Sequence, residues 1–426
     1  MLDTIIKILA VANLVVGGLF VLCYSYQFVY AILAYVRKRK DAPDAPPHKF
    51  AILIAARNEE KVIGNLIDTL NNQDYPKEFF DVYLTADNCT DSTAEVARSK
   101  GAVVYERHDT DHIGKGYVLD FMINNIWRDR GEDHYDAFVV FDADNLLNTN
   151  YLTEMNKIFA QGYEVITSYR NSTNYGDGWR AAGVGLYWLR DARMLNNARM
   201  QLGTNTFVAG TGFLLSNALA KRRGGWPYHT LTEDFEFTVN NALEGVKAGH
   251  CETAEFFDWQ SSGFRQTCRQ RLRWTKGGLQ VMVGYAGKLA RGIFSKNALS
   301  CFDMSICVFG AYVSSLIAVA VNLIGFTAIL LAGGGIAEIF STIAPLIPGA
   351  FFGLFFFSAI LTVSEWKRIR ASAFKKILYS FTFPLYIASF LPFAVIALFA
   401  KNVGWKPISH DGAASVHLDS EVAKKN

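Results

Sequence analysis

Four long apolar blocks constrain this chain more than any other feature, because each is long enough to cross a lipid bilayer. They occupy about residues 5–36, 301–332, 343–363 and 377–400. A helix rises about 1.5 Å per residue and the hydrocarbon core is roughly 30 Å thick, so the first block predicts one long, tilted span. The fourth block contains two prolines, and both a span and an interfacial segment remain open for it.

Basic residues flank these blocks on one side. Residues 37–40 are all arginine or lysine, and Lys367 and Arg368 follow the third block. The positive-inside tendency places both flanks in the cytoplasm and the N-terminus outside. We expect no cleaved signal peptide, because its apolar core would be shorter and would end at a small-residue site. The pattern predicts a multi-pass plasma-membrane protein.

Composition adds two expectations about compartment and partners. The six cysteines form no CxxC pair and no metal-type spacing, which fits a reduced, cytoplasmic compartment. The net charge of +3 over 426 residues is no large basic surplus, so we expect no nucleic-acid partner.

Strand and helix patterns alternate in the region between the first two blocks. Apolar runs at residues 50–55, 82–86, 102–105 and 137–141 predict strands, and helical spacing separates them. This order predicts an α/β domain with a mostly parallel sheet and helices on both faces. Ligands of such sheets bind at the carboxyl ends of the strands, so polar residues that follow the strands are the candidates for a site.

Carboxylates follow two of these strands. Asp142 and Asp144, two residues apart, lie on one side of the fourth strand's end. Magnesium or manganese held by one or two carboxylates takes its other ligands from water and phosphate, although such a pair also occurs at ordinary solvated strand ends. Asp87 and Asp91 after the second strand favour the metal. Asp91 also suits the N-cap of a helix beginning near Ser92.

A third acidic cluster, Thr232-Glu233-Asp234, begins a segment with helical spacing. The simplest interpretation is a capping threonine with acids favoured by the helix dipole. A general base would occupy the same place, because a carboxylate in a preformed turn can accept a proton from an attacking hydroxyl.

A cationic aromatic cluster, QRLRWTKGG at residues 270–278, precedes the second apolar block. A basic interfacial segment that meets anionic lipid would account for much of it. That account does not explain why it occurs together with the acidic clusters.

Eight motifs occur in a fixed order: AARNEE, ADNCTD, GKG, FDADN, GTGF, GGW, LTEDFEF and QRLRW. The series, which covers about residues 50–278, resembles that of the family 2 inverting glycosyltransferases with a GT-A fold, in particular membrane-embedded synthases similar to cellulose and hyaluronan synthases. The resemblance implies a GT-A-like fold, a UDP-sugar donor, Mg²⁺ or Mn²⁺ as cofactor and a β-linked product.

The resemblance also assigns roles to residues at the motifs. Asp142 and Asp144 would serve the diphosphate, with Asp144 acting through the metal. The residues that would bind the nucleotide are Ala55, Glu59, Asp87, Lys115, Asp142, Gln270, Arg271 and Arg273.

On the acceptor side, Asp234 would be the catalytic base, within a triplet that includes Thr232 and Glu233. Trp274 and Gly212 would contact the acceptor sugar. The sugar-recognising side chains would lie in two segments, residues 169–177 and 210–213. Trp405, after the fourth block, resembles the tryptophan of a gating loop, although the surrounding WKPISH lacks that loop's usual threonine and arginine.

These inferences divide the chain into five regions. They are an N-terminal transmembrane helix with its basic stop (1–40), a cytoplasmic GT-A domain (48–263), amphipathic interface helices with QRLRW (264–298), C-terminal transmembrane or interfacial helices (299–400), and a gating loop with a flexible tail (401–426).

Four functions compete at this point. The main prediction is a processive synthase that makes a β-glucan from UDP-glucose and moves the growing polysaccharide across the bilayer. The alternatives are a single transfer to a lipid acceptor and a synthase that uses UDP-N-acetylglucosamine. A transporter is disfavoured because the apolar blocks hold few ionisable residues, Asp303 being the main one. Donor, linkage, accessory subunits and oligomeric state stay open.

Overall fold

The computed structural model describes residues 1–37, 41–401 and 403–404, so Trp405 lies outside the described residues. The strands are β1 (Phe50–Ala56), β2 (Phe80–Asp87), β3 (Val103–Arg107), β4 (Ala137–Asp142), β5 (Leu146–Leu147), β6 (Val165–Ser172), β7 (Phe213–Ser216) and β8 (Ala248–Asp258).

The α-helices are α1 (Leu2–Tyr24), α2 (Tyr26–Val36), α3 (Ile63–Asn71), α4 (Thr93–Ser99), α5 (Lys115–Arg130), α6 (Tyr151–Phe159), α7 (Trp179–Arg190), α8 (Asn197–Leu202), α9 (Asn217–Arg223), α10 (Glu233–Glu244), α11 (Phe264–Gly292), α12 (Ala298–Ser305), α13 (Ala311–Leu331), α14 (Ile336–Ile343), α15 (Leu346–Ser364), α16 (Ala373–Ala388) and α17 (Leu391–Phe399). Two π-helical segments, Asp191–Asn196 and Ile306–Gly310, join α7 to α8 and α12 to α13.

One eight-stranded sheet has the order β3-β2-β1-β4-β7-β6-β8-β5. Strands β3, β2, β1 and β4 are parallel, β7 runs antiparallel to both of its neighbours, and β6 and β8 are parallel to each other. The predicted α/β fold with a mostly parallel sheet is therefore confirmed. The antiparallel strand β7 was not predicted, because it lies outside the four apolar runs.

The central strand β1 supports a hydrophobic core on each face of the sheet. Ile52 and Ile54 pack into a core with α3 and α6, whereas Ala51 and Leu53 pack into a core with α5. All four side chains are fully buried. An apolar run without polar alternation therefore forms a strand that helices cover on both faces.

Four helical segments are long and apolar enough to cross a membrane: Leu2–Val36, Ala298–Leu331, Leu346–Ser364 and Ala373–Phe399. Within them α1 packs along α13 and α15 packs along α16. The side-chain amides of Asn13 and Asn322 hydrogen-bond to each other, with N···O distances of 3.0 and 2.7 Å, and so fix the first pair.

A buried ion pair joins the α/β domain to the membrane helices. Arg199 of α8 holds Asp303 of α12 through two hydrogen bonds of 2.8 and 3.0 Å, and both side chains are fully buried. The hydroxyl of Tyr26 in α2 donates to the same carboxylate at 2.8 Å. Asp303, the main ionisable residue of the apolar blocks, therefore forms a structural ion pair, which explains its presence there.

The fourth apolar block lies against the α/β domain and α11 along its length. Lys375, near the start of α16, donates to the carbonyl of Gly176 at 2.8 Å. The ring of Tyr386 occupies the space where a Cβ on Gly183 of α7 would lie. At the other end, the carbonyl of Ala397 in α17 accepts a hydrogen bond from Lys276 of α11 at 3.0 Å.

Candidate functional site

Helix α11 fixes the turn that precedes α10. A Cβ on Gly277 would lie 2.5 Å from the side chain of Thr232, so only glycine allows this approach. Arg273 donates to the carbonyl of Leu231 at 2.9 Å, and the N–H of Leu231 donates to Gln280 at 3.0 Å. The QRLRW helix and the acidic triplet therefore form one rigid unit.

The two carboxylates of this triplet lie in a low-polarity environment. Burial raises the pKa of Glu233 to about 7 and that of Asp234 to about 6, while Arg273 and Lys115 lower both pKa values. The backbone N–H of Phe235 donates to Asp234 at 3.0 Å. With a pKa of about 6, Asp234 is still largely ionised at neutral pH and binds a proton more readily than an ordinary aspartate, which suits a general base. Glu233, with a pKa of about 7, is about half protonated there.

A lysine connects the GKG, FDADN and GTG motifs. Lys115, the first residue of α5, forms an ion pair with Asp142 and donates to the carbonyl of Gly210 at 2.8 Å. The N–H of Asp142 donates to the hydroxyl of Thr211 at 2.9 Å. A Cβ on Gly210 would lie 3.4 Å from a carboxylate oxygen of Asp234, so the structure brings all three motifs close to the base.

The carboxylates of Asp142 and Asp144 offer oxygen ligands at the end of β4. Both side chains are half-buried, and Asn145 donates to Asp144 at 3.3 Å and to Asp258 at 3.2 Å. Among the described residues, no group of three or more His, Cys, Asp or Glu side chains could hold a metal. A pair of carboxylates nevertheless fits Mg²⁺ or Mn²⁺, because these ions take further ligands from water and phosphate.

The ends of β1 and β2 form the opposite end of the site. Asp87 is 4% exposed and forms an ion pair of 2.7 Å with Arg107, its neighbour in the register of β2 and β3. Ala55 lies near the end of β1, and buried Glu59 donates its N–H to Thr93 at 2.8 Å. The sequence analysis missed Arg107. The signal that could have identified Arg107 is its position at the end of β3, the strand next to β2.

Asp91 holds the start of α4. One of its carboxylate oxygens accepts from the N–H and the hydroxyl of Thr93 at 3.1 and 2.6 Å, and the other accepts from the N–H of Glu60 at 3.1 Å. The N-cap of α4 is Ser92 and not Asp91, and Asp91 stabilises the helix start from one position earlier. Asp87 is therefore the carboxylate of β2 that remains a candidate for the site.

The two arginines of QRLRW point in different directions. Arg273 faces the turn before α10, whereas Arg271 stacks between the rings of Tyr386 and Phe390, at 4.5 and 4.8 Å, and donates to Ser389. Residues two apart on a helix are about 200° apart around its axis, which explains the divergence. The structure therefore does not bring Arg271 to the group around Lys115, and half-buried Gln270 precedes it on α11.

Aromatic side chains connect α11 to the sheet. Trp274 packs edge-on against Trp188 of α7, with ring centres 5.9 Å apart. Arg170 of β6 stacks on Trp188 at 4.4 Å and donates to the carbonyl of Ala209 at 2.8 Å. Trp274 thus lies near the GTG turn, as an acceptor-contacting residue would.

The GTG turn needs glycine at its last position. Gly212 has a φ of +64°, and the ring of Phe256 fills the space that a Cβ would occupy. Its N–H donates to the carbonyl of Val140 at 2.9 Å, which ties the turn to β4. A side chain at this position would displace the turn that separates Asp142 from Asp234.

A family model described as "Glycosyltransferase like family 2" matches residues 46–277. The chain belongs to this family. It is therefore a family 2 glycosyltransferase. The matched region begins before β1 and ends at Gly277, so it contains the site residues of the sheet, of α10 and of the first half of α11.

Relatives by sequence include a beta-monoglucosyldiacylglycerol synthase of Synechocystis sp., 25% identical over 58% of this chain and 51% of that protein. A probable glycosyltransferase of Bacillus subtilis, YdaM, is 24% identical over 60% of each chain. A 4,4'-diaponeurosporenoate glycosyltransferase of Staphylococcus aureus is 48% identical over 16% of this chain and 18% of that protein. The chain thus matches about half to three fifths of the first two relatives.

Among solved structures, the mannosyltransferase PcManGT from Pyrobaculum calidifontis, in complex with GDP-Man and Mn²⁺, has a TM-score of 0.57. It is 16% identical and is matched over 94% of this chain and 100% of that chain. The likeness confirms the predicted GT-A-like fold.

Proposed function

We propose that this glycosyltransferase transfers one sugar from a UDP-sugar, with UDP-glucose first in preference, to a hydroxyl of a membrane lipid at the cytoplasmic face of the plasma membrane. The observation that carries the proposal is the position of α11. On one side Gly277 contacts Thr232, next to Asp234, and one residue earlier Lys276 holds Ala397 of α17. One turn of α11 therefore holds both the turn that carries Asp234 and α17 at the end of the fourth apolar segment, so the proposed base lies close to the apolar helices.

Two relatives support a lipid acceptor by their names, since one is a glucosyldiacylglycerol synthase and the other acts on diaponeurosporenoate. Diacylglycerol carries a single free hydroxyl at the level of the lipid headgroups. An acceptor of this kind needs no path through the protein. It needs only a base close to the bilayer surface.

The packing of the membrane helices favours this alternative over the processive synthase. In the described part of the chain, α1 packs along α13, and most of each of the four apolar segments is exposed. A channel for a polysaccharide would require helices that surround a lumen, with one polar face each. Exposed apolar faces suit contact with lipid instead.

The proposed reaction is a single displacement at C1 of the donor sugar. The acceptor oxygen attacks C1, its proton passes to Asp234, and the bond from C1 to the diphosphate breaks, which releases UDP. One displacement inverts the configuration, so an α-linked donor gives a β-glucoside. Arg273 and Lys115 keep Asp234 ionised before the attack, since both lower its pKa.

Asp142 and Asp144 would hold Mg²⁺ or Mn²⁺, which supplies positive charge against the diphosphate. On the protein side, Lys115 stands beside Asp142 and adds a fixed positive charge. Asp87, oriented by Arg107, would bind the uridine together with the chain around Ala55 and Glu59. These roles follow the order of the strands across the sheet.

The test is a transfer assay with purified protein in nanodiscs, Mg²⁺ or Mn²⁺, and a panel of radiolabelled UDP-sugars. We expect label in the organic phase only when diacylglycerol or another hydroxylated lipid is present. A high-molecular-weight, water-soluble product formed without added lipid would refute the proposal and establish the processive synthase.

A further inference from the structure

The order of the strands indicates how a bound nucleotide sugar would lie along the carboxyl edge of the sheet. Asp87 ends β2 and Asp142 ends β4, and beyond them come the turn before β7 and the end of β6. Neighbouring strands are about 4.8 Å apart, so β6 lies roughly 10 Å beyond the carboxylates of β4. If the uridine is at β2 and the diphosphate at β4, the sugar points toward β7 and β6.

A small cavity lies at that place. Its volume is about 20 Å³, and its walls include Arg170 of β6, Thr211 and Gly212 of the GTG turn, and Trp188 and Asp191 at the junction of α7 with the π-helical segment. A cavity of this size holds one water molecule or one hydroxyl group. Thr211 also accepts a hydrogen bond from the N–H of Asp142, so the cavity adjoins the diphosphate site.

Two buried polar atoms in its walls have no hydrogen-bond partner among the described residues. They are the indole N–H of Trp188, a donor, and the second carboxylate oxygen of Asp191, an acceptor. Trp188 is 6% exposed and Asp191 3% exposed, and the other oxygen of Asp191 pairs with Arg190 at 3.3 Å. An unmatched donor and an unmatched acceptor in one cavity suit a hydroxyl group, which accepts one hydrogen bond and donates another.

Other features of the pocket favour a functional role. The segment Asp191–Asn196 is π-helical, a conformation that often occurs at functional sites. The face of Trp188 is stacked on Arg170 and its ring makes a T-shaped contact with Trp274, so the indole cannot turn its N–H elsewhere without losing both contacts. The donor group is therefore held in place before a ligand arrives.

We propose that this pocket receives one hydroxyl-bearing group of the donor's sugar, which Trp188 and Asp191 bind, so that these two residues determine donor specificity. The inference rests on the nucleotide-sugar donor of the proposed function. It does not depend on the lipid acceptor. A pocket built to bind a hydroxyl discriminates strongly against a sugar that lacks it, because the buried polar groups are then left unpaired.

The experiment compares binding of UDP, UDP-glucose and UDP-glucose deoxygenated at C2, C3, C4 or C6, with Mg²⁺ or Mn²⁺ and without acceptor lipid. We expect the native protein to bind one deoxy analogue about three- to tenfold more weakly than UDP-glucose. Trp188→Phe and Asp191→Asn should remove that difference and leave the affinity for UDP unchanged. Trp127→Phe, which removes an indole N–H that donates to Asn217, is the matched control and should keep the difference.

The outcomes separate the alternatives even if a variant fails to fold, because the native protein alone must distinguish one deoxy analogue. Equal binding of all four analogues and UDP-glucose would mean that the pocket holds a structural water only, and would overturn the proposal. Equal weakening of UDP and UDP-glucose in both variants would also overturn it, since the residues would then be merely architectural. If the protein distinguishes the deoxy analogue but transfers no sugar to a lipid, the proposed lipid acceptor is wrong and the proposed sugar pocket is supported.

Discussion

Asp234 is the residue whose replacement separates substrate binding from transfer. Asparagine keeps the shape of the side chain and cannot take a proton, so Asp234→Asn should lower transfer about 100- to 10,000-fold while UDP still binds. Turnover of UDP-glucose and UDP affinity measure the two effects. Glu236→Gln on the same helix is the control, because Glu236 bonds to Tyr285 and should leave transfer nearly unchanged. Turnover near the native rate would remove Asp234 as the base.

The environment of Asp234 also predicts the pH dependence. Burial raises its pKa to about 6, and the base must be ionised, so the transfer rate should fall about tenfold per pH unit below pH 6 and level off above it. Arg273 lowers this pKa, so Arg273→Gln should move the acidic limb to higher pH. Rate profiles at saturating donor test both statements. An unmoved limb would show that another group controls it.

At this scale the sequence identifies residue types and leaves their orientation open. Asp142 and Asp234 could be selected only through the ordered series of motifs, because a carboxylate after a strand or at a helix start also has an ordinary structural explanation. The pairing of Arg107 with Asp87 depends on the register of β2 and β3, which no local pattern encodes. The divergence of Arg271 and Arg273 follows from their spacing on one helix, but which of the two faces Asp234 depends on where α16 packs, and the motif contains no information about that contact.

Among the elements, α11 couples the membrane to the catalytic turn, and two adjacent glycines test that coupling. A Cβ at Gly277 would meet Thr232 at 2.5 Å, whereas a Cβ at Gly278 would meet nothing within 4 Å. Gly277→Ala should therefore displace the turn before α10 and lower transfer about 100-fold, because small displacements at a catalytic centre have large effects. Gly278→Ala should keep full activity and raise stability by about 0.5–1 kcal/mol. Equal activities of the two variants would contradict the coupling.

Strands formed by continuous apolar runs were the predictable elements. The apolar runs of β1 and β4 have no polar alternation, and each proved to be a central strand. Strand β7 has four residues and antiparallel neighbours, and its pairing depends on the long excursion through α7 and α8. The π-helical turn at Asp191 is likewise a result of tertiary packing, because its sequence has ordinary helical composition.

The whole molecule combines an α/β domain with membrane helices that hold it against the bilayer. Glu365, just after α15, accepts a hydrogen bond of 2.6 Å from Tyr169 of β6, so this end of the span lies on the side of the domain. The contacts of Lys375 with Gly176 and of Ala397 with Lys276 are made by opposite ends of α16 and α17. A segment whose two ends both touch the same side of the protein lies in the interface.

We therefore predict three membrane crossings, with the end of α17 in the cytoplasm, although composition and length alone allow four. Single cysteines at exposed Lys401 and at exposed Ser341 of α14 should behave differently toward a membrane-impermeant maleimide in intact cells. Ser341→Cys, beyond α13, should be labelled, whereas Lys401→Cys should be labelled only after permeabilisation. The parent protein measures the background from its own cysteines, and Ser99→Cys in the domain is the internal control. External labelling of Lys401→Cys would establish a fourth crossing and would mean that α17 leaves the surface where the base meets its acceptor.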